Sequence, residues 1–194
     1  GQGDDVLIGN DSSNILDGDS GIDTVLVQAP RDNYTLSKSS GGYTVTANAN
    51  PVNQDTLTHI ERLEFNDIKL ALDLDGSAGE VAKLLGAVFG ASAAANQDYV
   101  GIGLTEADRG LSYEQLGELA IHTTGLTSHD KIVTLLWQNL FGAEPSETQK
   151  SPYVKMLDTG EISPGGLAIL AADSGVNAEN IHLTGLAQMG VAFV

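Results

Sequence analysis

The sequence predicts an α+β fold in two parts: a short coil of parallel strands capped by antiparallel hairpins, then an all-α domain. Three observations carry this. Residues 1–26 repeat every nine positions, with Asp5, Asn14 and Asp23 in register, and Leu7, Leu16 and Val25 in register. Residues 24–72 alternate apolar and polar positions in short runs broken by Gly, Asn and Asp, the period-two pattern of strands and hairpins. From Ser77 the apolar spacing becomes i, i+3, i+4, i+7, the stripe of a helix buried on one side. The acid changes kind at the same place, from eleven Asp and two Glu up to Gly76 to five Asp and eight Glu beyond it. Asp suits turns and metal loops, whereas Glu suits helices. The expected domains are therefore residues 1–76 and 77–194.

The nine-residue unit follows G-G-x-G-x-D-x-U-x, with U a large apolar residue, a calcium-binding parallel coil repeat. Gly18 to Leu26 is the most complete copy. Gly1 to Ile8 lacks its first residue, and Gly9 to Asp17 carries Asn14 at the Asp position. Glycines allow a tight turn at positive φ. Such a turn aims backbone carbonyls at one point, and the Asp adds a charged oxygen, the hard donors that calcium takes in numbers of about six to eight. The apolar residue sits on a very short strand and points inward. One coil takes two repeats, so residues 18 apart should stack, with Asp5 over Asp23. The first part is expected to be a short calcium-binding parallel β-roll.

At these residues the chain resembles the repeats-in-toxin (RTX) family of bacterial secreted proteins. The resemblance implies a calcium between stacked loops. One loop gives the carbonyls of repeat positions one and three plus its Asp, and the next gives those of positions two and four plus its Asp. On this chain it implies the carbonyls of Gln2, Asp19 and Gly21 together with Asp5 and Asp23. The position-one carbonyl would precede Gly1, so the chain is expected to start inside a longer repeat tract. Asn10, Ser12 and Asn14 are expected to form half of a second site whose partner coil is absent.

Along the chain, Thr24 to Val27 continues the last repeat as a strand. Tyr34 to Lys38 and Tyr43 to Ala47 flank Ser39-Ser40-Gly41-Gly42, a hairpin pattern. Ile60, Leu63 and Phe65, then Ile68, Leu70 and Leu72, predict a second hairpin turning at Asn66-Asp67. These strands are expected to close the open end of the coil. The run Asp55 to Phe65 resembles the segment that follows RTX repeats in secreted proteases, without implying the protease. Asp73 to Gly76 reads as a turn rather than a metal loop, because no EF-hand spacing follows.

Beyond it, Ser77 to Glu80 and Ser112 to Gln115 read as capping boxes. Val81, Leu84, Leu85 and Val88 form one buried face. Thr127 or Ser128 starts a helix through Ile132, Leu136 and Phe141 that stops at Gly142. Pro152 is expected to divide the next segment, leaving Tyr153 to Leu157 helical. Ser163-Pro164 and Asn177 each start a further helix, the second being a closing helix over residues 177–190. A period near fifty residues matches Leu84-Leu85 to Leu135-Leu136, Tyr99 to Tyr153, Asp108-x-Gly110 to Asp158-x-Gly160, and Leu116 to Leu167. This predicts a diverged internal repeat of two units. Leu136 to Gly142 with Pro145, and Met156 to Gly160, resemble an uncharacterised helical domain family found near the C-termini of bacterial surface proteins.

The net charge of −17 argues against nucleic acid and anionic lipid as partners. No cysteine is present and no apolar run reaches membrane-spanning length. There is no HExxH, G-x-S-x-G or P-loop pattern among these residues, so an enzyme confined to this chain is not expected. His122 and His129 lie at consecutive helix ends where they could meet, and Trp137 reads as core. The expected function is a calcium-binding C-terminal module of a secreted bacterial protein, partnered during export by the type I secretion machinery and folding on calcium outside the cell. Gly190 to Val194 resembles the apolar tails of such exported chains; equally, Val191 to Val194 would pack the last helix end. The alternative function is a module binding carbohydrate or a cell-surface polymer through its helical part.

Overall fold

The computed structural model describes all 194 residues. The chain is mixed α/β, with nine strands in two mixed sheets and eight α-helices. It divides into two compact units, Gly1–Leu74 with Thr184–Val194, and Asp75–Leu183.

The first unit holds β1 (Val6–Ile8), β2 (Ile15–Asp17), β3 (Thr24–Val27), β4 (Tyr34–Ser39), β5 (Gly42–Ala47), β6 (Gln54–Thr58), β7 (Arg62–Phe65), β8 (Lys69–Ala71) and β9 (Val191–Phe193). One sheet runs β1-β3-β7-β8-β9 and the other β2-β6-β5-β4. The chain alternates between them. β1 pairs parallel with β3 in the register Val6↔Thr24 and Leu7↔Val25, so residues 18 apart do stack. β7 continues the same parallel ladder, and β6 lies parallel to β2 with Leu16 opposite Leu57.

The expected hairpins are present at β4–β5 and β7–β8, but they do not simply close the coil. β6 and β7 add a further parallel layer to it, with the β4–β5 hairpin set between β3 and β6. β6 escapes a sequence reading because Gln54 to Thr58 carries one large apolar residue, Leu57. That residue is 1% exposed and joins Leu16, Val25, Leu63 and Phe65 in the core. Each short strand gives the interior only one or two side chains, so Tyr43 helps close it. Its hydroxyl donates to the carbonyls of Ala187 (2.8 Å) and Leu72 (3.3 Å).

The C-terminal residues differ from expectation. The helix α8 (Leu183–Met189) ends at Gly190, whose φ of 79° turns the chain back. Val191–Phe193 then pairs antiparallel with β8, Leu70 opposite Ala192. Residues 184–194 thus belong with the β unit, not with the helical domain assigned to 77–194. The tail forms a strand. It covers the edge of β8, whose backbone groups would otherwise lack partners, and buries Val191 to 1% exposure.

Every regular element of the second unit is helical: α1 (Ser77–Phe89), α2 (Gln97–Asp108), α3 (Tyr113–Thr123), α4 (His129–Phe141), α5 (Glu147–Asp158), α6 (Pro164–Ala172) and α7 (Gly175–Asn180), with a 3-10 turn at Ala91–Ala95. The capping box at Ser112 and Gln115 forms, Ser163 caps α6, and Gly142 ends α4 at φ 70°. Other signals misled. Ser77 is already helical, with Gly76 before it and no side-chain cap. α5 starts at its own capping box, Ser146 with Gln149, and runs through Pro152 unbroken. α7 starts at Ser174, which caps it, so Asn177 lies inside the helix. The closing segment then breaks at His182, φ 52°.

α1 and α4 have thirteen residues each, α2 and α5 twelve each, and α3 and α6 eleven and nine. Two apolar grooves follow the same correspondence. Val81, Leu84 and Phe89 with Leu116 and Leu119 line one of about 520 Å³. Val133, Leu136 and Phe141 with Leu167 and Leu170 line another of about 320 Å³. α3 and α6 cross at bare glycines: a Cβ on Gly117 would sit 2.7 Å from the Gly165 carbonyl, and one on Gly165 2.8 Å from the Glu114 carbonyl.

Two outcomes follow for stability. Deleting residues 191–194 should cost the β unit roughly 1.5–3 kcal/mol, the scale of one buried Val, seen as an earlier β transition in circular dichroism on heating. Gly117→Ala should cost the helical unit about 1–3 kcal/mol by overpacking the α3–α6 crossing. Unchanged helical melting would remove that crossing as a constraint.

Candidate metal centre

Parallel strands this short leave the turns between them stacked on one another, and the acidic side chains of the first unit gather there. Three such junctions exist. At the first, Gly1–Asp5 lies against Gly18–Asp23. The carbonyls of Gly1, Gly18 and Ser20 accept N–H groups across the junction, from Ser20 (3.3 Å), Gly1 (2.9 Å) and Gly3 (2.8 Å). The turns need left-handed backbone at Gly3 (φ 96°) and Asp19 (φ 73°). Gly21 must be bare because a Cβ there would collide with the Gly3 carbonyl. Asp4 accepts the Ile22 N–H at 2.8 Å, and Asp5 pairs with the Gly1 amine at 3.1 Å.

At the second junction Gly18–Asp23 lies against Thr58–Glu61. Gly18 N–H donates to the Thr58 carbonyl, and Asp23 N–H to Glu61 Oε2 at 2.8 Å. The Asp23 side chain is wholly buried. Its Oδ1 accepts the Asp5 N–H at 2.8 Å, and its Oδ2 meets no donor at all. An ionised carboxylate in that position costs several kcal/mol unless a cation compensates it. The nearby buried guanidinium of Arg62 is bound to Asp73 at 2.6 Å. Burial holds the Glu61 carboxyl above its ordinary pKa, opposed by the hydrogen bond from Asp23 N–H and reinforced by the Asp23 charge. His59 stands at φ 50°. Its ring, bound to Asp17 at 2.8 Å, is held above the usual imidazole pKa by that hydrogen bond and charge.

The third junction corrects the expectation that Asn10, Ser12 and Asn14 lack a partner coil. Residues 50–55 lie against them. Asp55 Oδ1 accepts both the N–H and the side-chain Nδ2 of Asn14, at 2.8 and 2.7 Å. Asn53 Nδ2 donates to the Asp11 carbonyl, and Ser13 bonds Val52 and Gln54. Asn14 Nδ2 also donates to the carbonyls of Ser12 (2.7 Å) and Asn10 (3.3 Å). The amide thus fills, with N–H groups, the place where those oxygens would hold a cation. This junction does not fit a metal.

Calcium is tested by donor chemistry. The first two junctions offer the Asp5 and Glu61 carboxylates and a buried Asp23 oxygen without a partner, beside the Gly1 amine on Asp5 and the His59 ring on Asp17. That set fits a hard divalent cation. No three of the His, Asp and Glu side chains converge on one point, so any such site leans on backbone carbonyls. His122 and His129 are not brought together as a pair; His129 bonds Asp158 at 2.7 Å. Trp137 is only half-buried and lines the second apolar groove against Phe141, ring centroids 4.5 Å apart. No helix is long and apolar enough to cross a membrane. No protein-family model, curated protein or solved structure matches the chain.

Asn14→Asp should expose the amide's role. It sets a carboxylate against Asp55 and two carbonyls with no N–H between them. In chelator it should destabilise the β unit by about 0.5–1.5 kcal/mol, the net worth of an ordinary hydrogen bond, and calcium should restore the loss. Identical melting with chelator in both proteins would contradict this reading.

Proposed function

We propose that the chain is a calcium-binding module of a secreted bacterial protein, its first unit a short β-roll of the RTX kind. The observation that carries the proposal is the fully buried Asp23 carboxylate with an oxygen that no donor reaches. The Gln2, Asp19 and Gly21 carbonyls with Asp5 and Asp23 would hold the ion, which would supply the positive charge that no side chain supplies there. The residues do the rest. Glycines and Asp19 turn the loops, cross-loop N–H groups hold the stack, and each coil buries a small apolar core. Without a cation the stack carries Asp4, Asp5, Asp11, Asp17, Asp19 and Asp23 with no basic side chain before Arg31. Cytosolic calcium is too scarce to saturate such a weak site, whereas extracellular calcium saturates it. The β unit would stay loose inside the cell and fold outside, which suits passage through a type I secretion system.

Binding to the folded state alone adds about 2.7 kcal/mol per site at a hundredfold excess over the dissociation constant. Calorimetry and circular dichroism should therefore show a β transition that rises with calcium and falls with chelator. In Asp5→Ala with Asp23→Ala that response should vanish, while the helical transition moves little. A native β transition indifferent to chelator would remove calcium from the account.

A second reading is favoured by the twin grooves. Residues 51 or 52 positions apart line both, as a diverged duplication of α1–α3 in α4–α6 would give, and this supports a binding role for the helical unit toward a surface polymer. Glycan-array binding that persists in chelator and is lost with Phe89→Ala and Phe141→Ala would support it; an array without hits would set it aside.

A further inference from the structure

We infer that a second calcium position lies at the junction of Gly18–Asp23 with His59–Glu61, where Asp23 Oδ2 bridges it to the first ion and the His59 carbonyl and the Glu61 carboxylate complete it. The inference rests on the calcium reading of this unit and adds a place that the nine-residue repeat does not announce, since residues 58–61 are not a repeat copy.

Three observations converge. Asp23 Oδ2 is the atom without a partner, on a side chain with no exposure. Asp23 Oδ1 is already taken by the Asp5 N–H, so the orphaned oxygen is left to serve something else. A Cβ built on Gly18 would collide with both Asp23 Oδ2 and the His59 carbonyl. These two oxygens therefore lie together over the bare α-carbon of Gly18, in the space a side chain would need. No N–H enters that space to Asp23 Oδ2. His59 adopts φ 50° there, a left-handed backbone uncommon for this residue. Glu61 supplies the second carboxylate, one oxygen of which accepts the Asp23 N–H. Each carboxylate receives one backbone N–H, and neither is paired with a basic side chain in these bonds; two carboxylates and a carbonyl suit a divalent cation, and the irregular oxygen set suits calcium better than magnesium, which demands near-octahedral geometry.

The third junction shows the alternative on the same chain. There Asn14, at the repeat position of Asp23, closes the space with its own amide. Asp23→Asn should do the same at the second junction, its amide donating to the His59 carbonyl in place of an ion.

The test uses the full chain with calcium alone as the probe, read by isothermal titration and by melting in calcium and in chelator. Glu61→Gln keeps an acceptor for the Asp23 N–H and removes one charge. It should melt in chelator no lower than the native chain, lose one bound calcium from the titration, and weaken the remaining calcium response by about tenfold or more, the scale on which even outer partners alter metal affinity. Asp5→Asn should lose the other ion and keep this one. Asp23→Asn should gain stability in chelator and lose the calcium response. Glu61→Gln binding calcium like the native chain, while Asp5→Asn does not, would overturn this position and leave the proposed function standing. A native chain that binds no calcium would overturn both. If Asp23→Asn and the native chain melt alike in chelator at neutral pH, the Asp23 carboxylate carries no uncompensated cost there and the inference is overturned.

Discussion

A carboxylate is buried at the bend of a stacked loop, and the first unit is arranged around it. Asp23 ties three layers of the coil together. Its Oδ1 receives the N–H of Asp5, its N–H binds Glu61, and its carbonyl receives the N–H groups of Glu61 and Arg62. Those bonds set the parallel register of β1, β3 and β7. Strands of three or four residues cannot set it by themselves, because each gives the interior too few side chains. The cost is a carboxylate removed from water with one oxygen unpaired, and the proposed calcium would offset it.

The same chain shows two solutions to one geometric problem. Stacked turns bring several oxygens near one another, which favours a donor or a cation between them. On one side Asn14 meets the need with an amide; on the other Asp23 leaves it unmet by protein. Asn14 is then no decayed ligand. Its Nδ2 donates to the carbonyls of Asn10 and Ser12 and to the carboxylate of Asp55, joining the two layers through hydrogen bonds. The helical unit draws its stability from ordinary apolar packing, with Asn177 buried across Lys83 and Ala172 carbonyls and bare glycines at the α3–α6 crossing.

What the sequence made legible follows from how local each signal is. The nine-residue register placed Leu16 and Val25 inside and Asp5 over Asp23, because a repeat encodes its own stacking distance. The hairpins and the caps at Ser112, Ser163 and Gly142 were legible for the same reason. β6 was not, since only Leu57 marks it as buried, nor was β9, which exists because β8 has an open edge more than a hundred residues earlier in the chain. Pro152 misled because a capping box at Ser146 starts the helix ahead of it. Asp55 and Glu61 lie outside any repeat, so their places beside Asn14 and Asp23 emerge only when residues about forty apart are brought together by the inserted hairpin.

The claim that a cation completes the Asp23 junction is tested most directly by amide hydrogen exchange in the native chain. The amides of Asp5, Thr24, Glu61 and Arg62 all lie around Asp23. With calcium they should exchange slowly and together. With chelator they should lose protection by an order of magnitude or more, while the amides of α1, α3, α4 and α6 stay as they were. Equal protection of the four amides in calcium and in chelator would contradict the account.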